Sequence, residues 1–224
     1  MVEAIYLPKL NNLTPTLDST LLKAMEEAGE LARAVLKFMF WENLSPEELA
    51  EEPLALGLLA DVKEELLDVA QTCVTMIFVM EDSFGIDADS LIGEHLDKLM
   101  DKGYCYDDSQ SYRITTIKNL HGGNYKYISL PHLQIQDVTL LTTVCKIQEE
   151  LGELTQFLGK FAGASGEQNR LANEAVNKGA ALELLDVAQC CFTMMYILAE
   201  RHAVNIPDLV AGHVNKLRRK GYCQ

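Results

Sequence analysis

Apolar residues at helical spacing run through most of the chain. Leu21, Met25, Ala28, Ala32, Val35 and Met39 follow a 4-3-4-3-4 spacing, which predicts an amphipathic helix with that stripe turned inward. Pro15 and Asp18 supply start signals for it. Ser45-Pro46-Glu47-Glu48 reads as a capping box with Pro at the first helical position, so a short second helix begins there. A third helix is predicted from about Leu56 to Asp82. Its β-branched and aromatic residues (Val69, Val74, Ile77, Phe78) suit a strand, but the length of the run and its 3.6-residue period favour a buried helix. A fourth, about Ala88 to Lys102, ends at Gly103, a natural residue for the turn beyond a helix.

The pattern is then written again. Leu7-Pro8 recurs as Leu130-Pro131 and Glu26-Glu27 as Glu149-Glu150, both 123 positions on. Glu65-Leu66-Leu67-Asp68-Val69-Ala70-Gln71 is identical to Glu183-Leu184-Leu185-Asp186-Val187-Ala188-Gln189, now 118 positions on, so the second copy has lost five residues between its acidic motifs. Lys102-Gly103-Tyr104-Cys105 reappears as Lys220-Gly221-Tyr222-Cys223. The chain therefore divides into a helical repeat over 1–105, a linker over 106–127 and a second repeat over 128–224. Within the linker, Tyr112–Ile117 and Tyr125–Ile128 flank His121-Gly-Gly-Asn124, a pattern open to a small β-hairpin or to an extended segment.

The repeated polar positions carry the chemistry. Residues three apart on a helix lie about 60° apart around its axis, so Glu27 with Glu30, and Glu65 with Asp68, each present two carboxylates on one face. Glu150 with Glu153, and Glu183 with Asp186, do the same. Where two such helices face each other, like charges about 4 Å apart repel by about 4 kcal/mol at an effective dielectric of 20. Such a cluster takes up protons or holds a cation. Oxygen-only ligands without His or Cys point to Mg²⁺, with Mn²⁺ as the alternative.

Lysines ring these acids. Lys23 and Lys37 share the face of Glu27 and Glu30, and Lys146 and Lys160 that of Glu150 and Glu153. The fourth helix presents His95, Lys98 and Lys102, repeated as His213, Lys216 and Lys220. Carboxylates ringed by ammonium groups suit a metal-bound polyphosphate. Lysines near a helix C-terminus equally suit the macrodipole, and the two histidines read as structural. Gln71 and Gln189 either orient a metal-bound water or supply packing polarity. Trp41 either stacks on a nucleobase or fills a half-buried core position. Cys73, Cys191, Met76 and Met194 read as core.

Bulk composition narrows the partners. A formal charge of −14 argues against nucleic acid or an anionic membrane, but not against a small anion that arrives with a metal. No basic-then-apolar leader opens the chain, and the apolar run from Val69 to Met80 is too short to span a bilayer. Six cysteines with no C-x-x-C pair read as buried reduced thiols, and the expected location is cytoplasmic. A di-iron carboxylate bundle needs Glu-x-x-His pairs, and the chain has none.

With EExxE at Glu26–Glu30 and Glu149–Glu153, and ExxD at Glu65–Asp68 and Glu183–Asp186, the chain resembles the MazG-like, all-α NTP pyrophosphohydrolase superfamily, which includes the dimeric dUTPases. The resemblance covers nearly all of both repeats. It implies an all-α fold of two tandem four-helix MazG-like units forming an intrachain pseudo-dimeric bundle, which could pair further as a homodimer. It implies cleavage of a nucleoside triphosphate to the monophosphate and pyrophosphate. The implied Mg²⁺ ligands are Glu27, Glu30, Glu65, Asp68, Glu150, Glu153, Glu183 and Asp186. Glu26 and Glu149 would orient or deprotonate water, and Lys23, Lys37, Lys98, Lys102, Lys146, Lys160, Lys216 and Lys220 would meet substrate. The family's usual basic-aromatic ending is replaced here by Lys-Gly-Tyr-Cys. A non-catalytic helical module that binds nucleotide or a partner protein is the alternative.

Overall fold

Thr16 opens the first long helix: its side chain accepts from the Ser19 backbone N–H while the Ser19 hydroxyl returns the bond to Thr16. The true cap thus lies between the Pro15 and Asp18 signals. In the computed structural model, residues 5, 7–11, 13–118, 124–164, 166 and 173–223 are described. They are mostly helical, in the order β1 (Leu7–Pro8), α1 (Leu17–Phe38), α2 (Pro46–Ala50), α3 (Pro53–Phe84), α4 (Ala88–Asp101), β2 (Ile114–Lys118), β3 (Asn124–Ile128), α5 (Leu140–Ala162), α6 (Asn173–His202) and α7 (Ile206–Arg219). The Ser45 capping box starts α2 as expected. The apolar run with strand-like residues is the middle of α3.

Four long helices close a ring, two from each repeat. α1 packs on α3 and α5, and α6 packs on the same two. The shorter helices cross over: α4 packs on α6, and α7 packs on α3. Phe78, Leu66 and Met76 of α3 and Phe192, Leu184 and Met194 of α6 are fully buried in one continuous core. Burying each such side chain stabilises the fold by about 1.5–3 kcal/mol. α6 is long and apolar enough to cross a membrane by composition alone, but 83% of its most apolar window is buried inside the protein.

The inward stripe of α1 differs from the predicted one. Ala24, Ala28, Leu31, Val35 and Phe38 are buried, whereas Met25 and Met39 are exposed and Leu21 and Ala32 are only partly covered. α1 carries apolar residues on two faces, and periodicity does not say which one meets α3 and α5. The face that wins also carries Glu27 inward, 6% exposed.

Among the described residues the second repeat has three helices rather than four, because nothing there corresponds to α2. In the linker, β2 and β3 pair antiparallel with Ile114 opposite Ile128, and β1 adds a third strand with Leu7 also opposite Ile128. The predicted turn at His121-Gly-Gly lies outside the described residues. All six cysteines are free. Cys73, Cys191 and Cys223 are buried as expected, but Cys105 and Cys145 are exposed. Burial pushes the Cys73 and Cys190 thiols up to about 12, so neither is a thiolate ligand at neutral pH.

At Gly179 α6 lies directly against the Phe157 ring of α5. A methyl group at Gly179 would overlap the Phe157 ring. Gly179→Ala is expected to destabilise the protein by about 1–3 kcal/mol. Gly57→Ala, with open space around it, should be neutral or stabilising by up to about 1 kcal/mol. Thermal or urea melts of the two variants check this.

Candidate functional site

The acidic motifs meet in pairs of helices: EExxE lies on α1 and α5, and ExxD on α3 and α6. Because α1 packs on α3 and α5 on α6, one cluster forms in each half. Glu27, Glu30 and Glu65 each bring a carboxylate oxygen within 4.8 Å of the others. In the second half Glu150, Glu183 and Asp186 do so. Three of the four predicted acids converge in each, and the fourth differs. Asp68 is held by Lys216, with Nζ 2.6 Å from Oδ2, and Glu153 falls outside its cluster.

Each ExxD aspartate is paired with the last helix of the other repeat. Lys216 of α7 reaches Asp68 and also Glu64, at 2.7 Å, on α3. Lys98 of α4 pairs with Asp186 of α6, and His95 Nδ1 stands 2.9 Å from the same carboxylate. His213 repeats the arrangement more loosely, with Nδ1 3.7 Å from Asp68. Both histidines are buried, as a structural role predicts, yet each leaves Nε2 without a partner.

Lys23 pairs with Glu27 and, at 3.2 Å, with Glu26; Lys146 pairs with Glu150 at 2.7 Å and Glu149 at 3.0 Å. The Glu26 and Glu149 side chains are 60% and 58% exposed on the solvent side of these lysines. Lys37 is exposed, and Lys160 donates to Gln156, so neither lines the cavities described next. Trp41 is half-buried against the core and meets Phe40 edge-on.

A cavity opens beside each cluster. That of the first half, of about 520 Å³, is lined by Glu27, Asp68, Lys23 and Gln71, with Lys220 and Tyr222 from the second repeat. Its counterpart, of about 330 Å³, is lined by Glu150, Asp186, Lys146 and Gln189, with Lys102 and Tyr104 from the first. The tyrosines are placed by identical helix ends. Tyr104 N–H donates to Leu99 O and Gly103 N–H to Met100 O; Tyr222 N–H donates to Leu217 O and Gly221 N–H to Arg218 O. The left-handed glycines, φ 83° and 77°, make this turn possible. The spacing of acids and lysines does not point to the two tyrosines. The repeated Lys-Gly-Tyr-Cys was the signal that could have found them.

Charge in the two clusters is unequal. Burial, with Asp186, Glu153 and Glu150 adding to it against Lys98, holds the Glu183 carboxyl up at about 7. Glu65 is raised by burial, Glu30 and Asp68. For Asp186, burial acts upward but is outweighed by His95 and Lys98, which lower it. Burial drives His213 down to about 4, against the pull of Asp68, so its imidazole is neutral at pH 7.

Glu183 makes stability depend on pH. The native state keeps its proton between about 4.5, the carboxyl's ordinary value, and about 7, where the unfolded chain has already released it. The Glu183 contribution therefore falls as pH rises through that window and is constant above it. Half-exposure screens part of the effect. Metal-free Glu183→Gln is expected to melt higher than the unsubstituted protein at pH 8, with the gap closing by pH 4. Melts in chelator at both pH values check this.

Comparison with protein-family models, characterised proteins and solved structures finds no match to this chain.

Proposed function

We propose that the protein is a Mg²⁺-dependent hydrolase that cleaves a nucleoside triphosphate to the monophosphate and pyrophosphate, clearing surplus or non-standard nucleotides in the cytoplasm. The observation that carries the reading is that each oxygen-only acidic cluster adjoins a cavity of ligand size, through Glu27 in the first half and through Glu150 and Asp186 in the second, and that each cavity is lined by lysines from both repeats. The donor sets suit a hard divalent ion, either Mg²⁺ or Mn²⁺. Glu183 Oε2, buried without a partner, is an acceptor that a cation would satisfy. Glu27, Glu30 and Glu65 with Asp68, and Glu150, Glu183 and Asp186 with Glu153, would hold it. When bound, the ion neutralises phosphate charge and lowers the pKa of a water ligand.

The chain's own residues supply the rest. Lys23 and Lys146 stand between the buried and the exposed glutamate of each EExxE, so Glu26 and Glu149 orient these ammonium groups toward the cavity mouth. Lys102 and Lys220 also line the cavities, where they would take polyphosphate charge. Lys98 and Lys216 hold the ExxD aspartates by ion pairs at the cluster edge.

Pyrophosphate release from a (d)NTP panel including dUTP and dCTP, with and without Mg²⁺, tests the proposal. Release that requires the metal is expected. Silence across the panel would sink the hydrolase reading, and tight nucleotide binding without turnover would leave a helical binding module.

A further inference from the structure

The repeated Leu-Pro and the glutamine after ExxD are joined in space. Gln71 Nε2 donates to Pro8 O at 2.9 Å, and Gln189 Nε2 donates to Pro131 O at 2.9 Å. A backbone carbonyl only accepts, so the NH₂ of each amide must face the proline and the orientation is fixed. Each Oε1 is then an acceptor. Both are buried with no protein partner, in side chains only 4% and 3% exposed. Buried polar atoms are rarely left unpaired, and here the same atom is left so twice, at equivalent places.

These glutamines line the two cavities. They lie one helical turn beyond Asp68 and Asp186, about 4.5 Å farther along the axis, with Thr75 and Thr193 another turn on. Each cavity is thus lined both by phosphate-suited groups and by the residue that carries this fixed acceptor. Leucines share the lining: Leu10 and Leu217 in the first half, Leu133 and Leu99 in the second.

We infer that each cavity holds the nucleobase of the substrate, and that Gln71 and Gln189 select rings that offer an amine or imide N–H. The inference rests on the nucleotide reading above and adds its recognition element. An acceptor with no donor opposite it discriminates strongly, because an analogue that cannot donate leaves the oxygen buried and unpaired.

Calorimetry with Mg²⁺ and nucleoside monophosphates tests it without requiring turnover. The probes are dCMP and dUMP, their N4,N4-dimethyl and N3-methyl counterparts, and ribose 5-phosphate. The dimethylated or methylated ring should bind at least about tenfold more weakly than its parent to the unsubstituted protein. Gln71→Met with Gln189→Met should weaken the parents by a similar factor and leave ribose 5-phosphate unchanged. Equal binding of methylated and parent rings overturns the inference while the hydrolase proposal stands. If no monophosphate binds, the inference falls, and pyrophosphate release alone decides the hydrolase reading.

Discussion

Replacing Glu65 and Glu183 together by glutamine is expected to abolish Mg²⁺-dependent pyrophosphate release, by at least about a hundredfold. Loss of a residue that merely orients a metal ligand costs about 10–100-fold, and a ligand costs more. Each glutamine keeps the size of the side chain and removes its charge, so the fold should survive. Glu65 is one of the three acids that meet in the first half and Glu183 one of the three in the second. The single variants divide the activity: Glu183→Gln reports the first site alone, Glu65→Gln the second. Full activity in the double variant would show that the clusters do no metal chemistry.

The second large effect crosses the repeats. Lys216 lies in the second repeat but pairs with Asp68 of the first, and Lys98 lies in the first but pairs with Asp186 of the second. In a Glu183→Gln background only the first site works. Adding Lys216→Met there is expected to cut the remaining turnover by about 10–100-fold, the scale of losing a residue that positions a metal ligand. Adding Lys98→Met to the same background should change the rate little, because it disturbs a site already silent. If each repeat carried a self-sufficient site, the two outcomes would be exchanged. Steady-state rates of the two double variants decide it.

Much of this arrangement was legible in advance. The duplication is plain in Glu65–Gln71 against Glu183–Gln189, and the Ser45 capping box and the Gly103 stop mark real helix ends. The pairing of EExxE with ExxD follows from spacing and charge, and Glu27, Glu30 and Glu65 do meet. Other features were hidden for physical reasons. α1 has two apolar faces, and local periodicity ranks Met25 with Ala28 although only Ala28 is covered. The partner of Gln71 is a carbonyl 63 positions away, and a hydrogen bond of that separation leaves no local trace.

The sequence by itself determined the helices, their repetition and which acids share a face, because these depend on residues a few positions apart. Only the tertiary structure decided that α4 and α7 exchange places between the repeats, that Lys98 and Lys216 therefore serve the opposite site, and that the two clusters differ in which acid stands apart. A helix's apolar stripe states that it must be covered. What covers it is chosen by the shape of the whole core, to which both repeats contribute at once.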